Sequence, residues 1–436
     1  MYSIHDYMPI RNSYIEEISP QRPENTVTQC HNVFVFNTIT RRFGGVAMES
    51  QREKFKALSV FRRVQPNEPT YLLDLSLQTV SGPGLVAACC SNRSIHLHSK
   101  ENLSLVMEYQ GHSGVICGVR FAHTSPYQLF SGSADGTVRM WDVRCPGSQA
   151  AQVFRSDPSH LFCSFDVSCN DVLLCAGTEQ LDDDNSFLVF WDVRMTKEKK
   201  EGLLGVYSES HSDDITQVRF HPQNADCLAS GSTDGLVNVF DLSLGAEEEA
   251  LVATCNCNSS ASSVCWAGKT LNQLLCLSHD EGLHLWDLGQ LDTDKPLTLF
   301  SVADARSLTN FSNQGILDYF VGGTWLVEAE QLLVLGGKIN GDIQLLECSE
   351  KGLSPLSSLQ KGHSATVRCF HWDSAGDALL TGGEDAQLLL WKSGAEELTS
   401  GKRDVLKSAS ALHFKSKPHK NRDSKMNITC HADNHR

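Results

Sequence analysis

An all-β fold, a propeller of seven four-stranded antiparallel sheets, is what this sequence predicts, on three observations. One polar pattern occurs three times: a His, then a hydroxyl residue, an Asp four positions after the hydroxyl, and an aromatic six positions after the Asp. It reads His112, Ser131, Asp135, Trp141; then His211, Ser230, Asp234, Phe240; then His363, Thr381, Asp385, Trp391. Four segments (70–99, 160–194, 262–289 and 319–349) follow the plan more loosely. The aromatic position thus recurs as His98, Trp141, Trp191, Phe240, Trp286, Leu346 and Trp391, at steps mostly of about 45–50 residues, the length of one four-stranded unit. Finally, runs such as VICGVRF and ITQVRFH are β-branched or alternating, and ADG, TDG and NGD are tight-turn sequences whose positive φ suits Gly and Asn.

Each stretch of chain then has a place. Residues 1–47 fall outside the repeat; 33–39 is strand-prone, but no blade needs it. The segment is expected to be a disordered extension or an unusual isoform end, with Met48 as an alternative start. The propeller is expected over 48–394. Its last repeat supplies only three strands, near 366–371, 378–382 and 387–392. The fourth is expected from LSVFRRV at 58–64, which would complete the last blade and protect the open edges of both ends. The remainder, 395–436, is expected to be a disordered polar tail, basic from Lys402 onward, with Lys415, Lys417, Lys420 and Arg422 clustered. It reads as a nuclear import signal or RNA contact, or as a solvated tail.

Composition bounds the function. Hydrophobic residues make up 41% and charged residues 20%, enough for a sizeable core. The net charge of −15 repels phosphate backbones, so no direct nucleic-acid binding is expected of the propeller. No apolar run is long enough for a membrane helix, and residues 1–20 lack the apolar stretch of a signal peptide, so the expected compartment is the cytoplasm, the nucleus or both. Six of the sixteen cysteines (Cys89, Cys90, Cys117, Cys163, Cys175 and Cys276) lie in apolar strand-like runs and there is no CxxC pair. Reduced thiols are expected. No metal-ligand cluster is present, and no metal or cofactor is expected. The chain has no GxxxxGK[ST], no GxGxxG after a strand, no HExxH and no GxSxG; GGKINGD at 336–342 reads as a turn. A catalytic triad is normally unique in its chain, whereas the His/Asp/hydroxyl sets recur at matched spacing. They read as structure, and the chain as a non-enzyme.

These repeats resemble the WD-repeat family of β-propellers, and within it the family of WD repeat-containing protein 89, over 48–394. The most specific stretches are EPTYLLDL (68–75), CNDVLLCAGTEQLDDDNSFLVFWDVRM (169–195), SHSDDITQVRFHP (210–222), HDEGLHLWDL (279–288) and LLTGGEDAQLLLWK (379–392). The resemblance implies a chain of hydrogen bonds through Trp, Ser/Thr, His and Asp that ties an outer loop to inner strands. Blades two and seven carry all four residues, and Phe240 leaves blade four without an indole N–H. Blades one, three and six lack the His or the Asp and must lean on apolar packing.

Fold class alone does not give function, and the expected role is a scaffold for other proteins. WDVR occurs twice, at 141–144 and 191–194, which places Asp142, Arg144, Asp192 and Arg194 just beyond the third strands of adjacent blades. Proteins with this WDxR ending resemble substrate receptors of cullin-based ubiquitin ligases, whose Arg engages the damage-specific DNA-binding adaptor. A guanidinium can fork onto carboxylates or carbonyls where Lys cannot. The other reading is an Arg that pairs with the Asp of its own blade. A second region is an acidic upper rim: Asp182, Asp183 and Asp184 in an insertion of blade three, with Asp213 and Asp214 in the loop leading into blade four. It suits a Lys/Arg-rich peptide, as in a nuclear assembly factor or peptide reader, or is solvated loop charge. No calcium-loop spacing is present. A third is the mouth of the central channel, with Ser133, Thr233, His279 and Glu384 at equivalent turns.

Overall fold

The computed structural model describes residues 51–397 apart from 67–69, 148, 157–158, 181–184, 196–201, 292–295 and 311–314. The extension 1–47, the tail from 398 with its Lys415–Arg422 cluster, and Asp182, Asp183 and Asp184 lie outside the described residues. No helix among the described residues is long and apolar enough to cross a membrane.

The described residues form 28 strands in seven antiparallel sheets of four, six of them simple meanders and the seventh completed by the first strand. Blade one is β2 (Leu72–Leu77), β3 (Leu85–Cys90), β4 (Ser94–Ser99) and β5 (Leu105–Gln110). Blade two is β6 (Ile116–Phe121), β7 (Gln128–Ser133), β8 (Thr137–Asp142) and β9 (Gln152–Arg155). Blade three is β10 (Phe162–Val167), β11 (Leu173–Thr178), β12 (Leu188–Asp192) and β13 (Leu203–Tyr207). Blade four is β14 (Gln217–Phe220), β15 (Cys227–Gly231), β16 (Leu236–Asp241) and β17 (Leu251–Asn256). Blade five is β18 (Ala261–Ala267), β19 (Gln273–Ser278), β20 (Leu283–Leu291) and β21 (Pro296–Val302). Blade six is β22 (Tyr319–Leu326), β23 (Gln331–Gly337), β24 (Ile343–Ser349) and β25 (Gly352–Leu359). Blade seven is β26 (Val367–Asp373), β27 (Ala378–Gly383) and β28 (Leu388–Ser393), completed by β1 (Leu58–Val64).

The latch forms as expected. β1 runs antiparallel to β28, with Leu58 opposite Ser393, Val60 opposite Trp391 and Val64 opposite Leu388. Just before it, buried Phe55 packs on Trp372 with ring centroids 5.1 Å apart. The innermost strands touch in sequence from β2 round to β26, and β26 touches β2, so the ring is shut. This removes the open blade edges that would otherwise invite pairing with other chains.

The core is divided as the repeat requires. A sheet with both faces apolar must bury each face, and here every blade shares one buried cluster with each neighbour. Leu97 and Trp141 share a cluster between blades one and two, Phe130 and Trp191 between two and three, and Phe55, Leu335 and Trp391 between six and seven. The spacing is tight: a Cβ on Gly132 would lie 2.5 Å from Phe165 of the next blade, and one on Gly177 would lie 2.5 Å from Ile215. The turns between second and third strands have positive φ at Gly136 (74°), Gly235 (85°) and Gly341 (92°), but the same corner is held by Arg93, Glu281 and Ala386 in other blades. All cysteines among the described residues are free thiols.

Candidate interaction sites on the two faces and in the channel

The polar sets bridge each blade from loop to inner strand. In blade two, His112 Nδ1 lies 2.9 Å from Asp135 and Nε2 lies 2.7 Å from Ser131 Oγ, which also accepts Trp141 Nε1–H at 2.8 Å. Blade seven repeats this with Asp385 (3.0 Å), Thr381 (2.8 Å) and Trp391 (2.8 Å) around His363. One direction satisfies every donor: indole N–H to hydroxyl oxygen, hydroxyl to Nε2, and Nδ1–H to carboxylate. In blade four His211 bonds Asp234 (2.9 Å) and Ser230 (2.7 Å), and Asn238 Nδ2 approaches Nε2 at 3.4 Å where Phe240 has no N–H to offer. Burial alone would raise the Asp135, Asp234 and Asp385 carboxyls. Hydrogen bonds, led by those from their histidines, outweigh it and hold all three below the ordinary range. The sets are used up internally and form no reactive centre.

Incomplete blades improvise. In blade three Trp191 Nε1–H turns to Arg155 O at 3.1 Å. In blade one, buried His98 takes the aromatic position and donates Nδ1–H to Leu103 O at 2.9 Å. Burial pulls His98 down to about 4, against the bond to Leu103. Between pH 6.5 and 4 the unfolded chain therefore binds a proton that the native one refuses, and stability falls as pH drops through that window, by up to about 1.4 kcal/mol per pH unit. The urea midpoint is expected to decline from pH 7 to pH 5, and His98→Gln to flatten that decline; an unaltered slope in the variant would remove His98 from the effect.

In a four-stranded meander, the loop into the first strand and the turn between second and third share one end, the top. The loop after the third strand lies at the bottom, and both WDVR endings are there. Arg144 forks onto Asp142 through Nε (2.9 Å) and Nη2 (2.6 Å), and Arg194 forks onto Asp192 through Nε (2.9 Å) and Nη2 (2.8 Å). Each fork holds its carboxyl below the ordinary range. The arginines stay outward all the same, with side chains 61% and 68% exposed. Arg144 also lies over the Tyr127 ring, 4.5 Å from its centroid. Own-blade pairing and outward presentation therefore coexist, because the fork uses one edge of the guanidinium and leaves Nη1 without a hydrogen bond among the described residues.

At the top, Asp213 and Asp214 are half-buried. Asp214 Oδ1 accepts Gln180 N–H at 2.7 Å, and Asp213 Oδ1 accepts Asp214 N–H at 2.8 Å. The channel-mouth set needs a correction. Ser133 is fully buried, and its Oγ accepts Asp135 N–H at 3.1 Å. The position equivalent to Thr233, His279 and Glu384 is Ala134, since these four share the same backbone bond back to the preceding loop. Ala134, like the other three, stands immediately before the Asp of its turn, and Ser133 stands two before it. Of the others, His279 is exposed, Thr233 is half-buried, and Glu384 binds Arg368 Nε at 2.8 Å. The GGKINGD stretch is the β23–β24 turn, closed by Gly341 N–H to Lys338 O at 2.9 Å.

Residue-by-residue reading passed over the channel. A cavity of about 540 Å³ runs between the innermost strands. Within it, Arg120 on β6 bonds Asp74 on β2 and lies 3.6 Å from Asp166 on β10. Asp166 also accepts Phe220 N–H at 2.8 Å, which ties blade three to blade four. Arg219 on β14 is a further guanidinium on this wall. The repeated VRF at 119–121 and 218–220 was the available signal.

Comparison with known proteins agrees with this geometry. The WD40 family profile (WD domain, G-beta repeat) matches residues 103–142, 203–241 and 353–392. Each match runs from the outer strand of one blade through the third strand of the next, the same offset that lets β1 close the ring. The chain is 27% identical over 325 residues to the WD repeat-containing protein 89 homolog of Dictyostelium discoideum, covering 74% of this chain and 83% of that protein. It is 28% identical over 357 residues to the WD repeat-containing protein GTS1 of Arabidopsis thaliana, covering 77% and 84%. It is 22% identical over 335 residues to DDB1- and CUL4-associated factor 13 of Xenopus laevis, covering 74% and 63%. With WD40 repeats matched in three segments of the sequence and seven four-stranded blades in the structure, the chain is a seven-bladed β-propeller that carries WD40 repeats.

Proposed function

We propose that this chain is a non-catalytic scaffold that holds other proteins together, and that its bottom face docks onto the damage-specific DNA-binding adaptor of cullin-based ubiquitin ligases, making it a substrate receptor. The supporting observation is the pair of outward guanidiniums in adjacent blades, each locked by its own Asp. Locking removes rotamer freedom before docking, so little order is lost on contact, and the Nη1 edge can take carbonyl or carboxylate oxygens of a partner. The likeness to a relative whose name associates it with DDB1 and CUL4 points the same way.

Joint Arg144→Ala and Arg194→Ala replacement should cut co-purification of the adaptor at least about tenfold while the melting curve stays in place, because exposed charges contribute little to folding. Undiminished capture would sink the ligase reading. Asp213→Lys with Asp214→Lys belongs in the same experiment. A top-face peptide reader would lose its partner in that variant and keep it when the arginines are removed.

A further inference from the structure

We propose that the central channel is a binding site for a small anion bearing a carboxylate or phosphate group, with Arg219 as its principal contact. This lies beyond the docking role, since it uses the interior of the ring rather than either face. Three arginines (Arg120, Arg219 and Arg368) line the cavity of an otherwise acidic protein, and the carboxylates near them are shared unevenly.

Two of these arginines are matched. Arg120 sits between Asp74 and Asp166, and Arg368 is paired with Glu384. Arg219 is not. Among the described residues its guanidinium has no carboxylate partner, and its one hydrogen bond runs from Nη1 to Val218 O at 3.0 Å. Arg120 makes the same bond to Val119 O but has its carboxylates as well. The difference follows from ring order. Asp166 precedes Arg219 by one blade and is already engaged by Phe220 N–H and Arg120. On the other side, β18 brings the Ser263 hydroxyl to the wall, and it has no protein partner among the described residues.

A cation drawn out of bulk water without a counter-charge is unfavourable, and a bound anion relieves it. Arg219 is half-buried in the channel wall, and the local field agrees: loss of solvent, then Arg120, pulls its guanidinium down, and Asp166 and Asp74 only partly offset this. The cavity volume falls within the usual range for small-molecule sites.

The test is thermal melting of the full chain in increasing inorganic phosphate, with citrate as the carboxylate arm, at constant ionic strength made up with chloride. The unsubstituted chain should show a saturable rise of about 2–3 °C. Arg219→Gln should lose the saturable rise, keeping only the shallow linear stabilisation that excluded salts give every protein. In the chloride buffer without phosphate or citrate, Arg219→Gln should melt at or above the unsubstituted chain, because an unmatched charge has gone. Arg368→Gln should keep the phosphate response. No saturable rise in the unsubstituted chain, an equal rise in Arg219→Gln, or a lower melting point for Arg219→Gln in chloride alone would each overturn the proposal; the last would make Arg219 a structural ion. A response to phosphate alone or to citrate alone supports the site and narrows its ligand.

Discussion

Replacing Thr381 by Val should destabilise the protein by about 2–4 kcal/mol, roughly twice the loss from Ser230→Ala. Both changes remove the hydroxyl at the middle of a polar set, and the sets differ in what is left unpaired. In blade seven Thr381 Oγ1 accepts the Trp391 indole N–H and faces His363 Nε2, so Val strands a donor and an acceptor in a site with almost no water. Val matches Thr in shape, so no cavity adds to the cost. In blade four Phe240 brings no N–H. Only His211 Nε2 is stranded, and Asn238 Nδ2 at 3.4 Å stands ready to serve it. Urea denaturation of both variants checks the ratio; equal losses would mean that Trp391 finds another acceptor and that the set does not act as a unit.

Val60→Asp should cost more than about 4 kcal/mol and change the assembly state. Val60 lies opposite Trp391 and is buried in the apolar cluster shared by blades six and seven. The chain would then keep the carboxylate buried or lift β1 from β28. Lifting exposes the β28 edge, which invites strand pairing between molecules. The expected result is a lower, broader melt with multimers in light scattering. Phe55→Ala, which removes the ring packed on Trp372, should cost about 3–5 kcal/mol through the cavity it leaves. A sharp unshifted melt and a monomer for Val60→Asp would show that the ring holds without its latch.

Much of this was legible in residues that act within one repeat. The His–hydroxyl–Asp–aromatic spacing could be read because those groups must be present together to stay paired, so the pattern returns whenever the blade does. The last repeat fell one strand short, and LSVFRRV was the alternating run available to complete it; β1 formed there. Ser133 was the wrong member of its turn: Thr233 and Glu384 stand one residue before their Asp, a place that Ala134 takes here, and the residue one step earlier is buried. The Trp191 bond to Arg155 O was equally hidden, since a backbone carbonyl leaves no mark in the sequence.

By itself the sequence determined the blade: its strand alternation, its turns, its internal polar set and the count of seven, all set by interactions within about 50 residues. Tertiary structure alone decided what the blades do to one another. Asp74, Arg120, Asp166 and Arg219 belong to four separate repeats, and only ring closure brings them to one wall, where two carboxylates are spent on Arg120 and none is left for Arg219. The physical reason is range. Side-chain alternation and hydrogen-bond sets are local and repeat with the chain, whereas the balance of charge in a shared channel depends on which blade each charge occupies and on the order in which the blades meet.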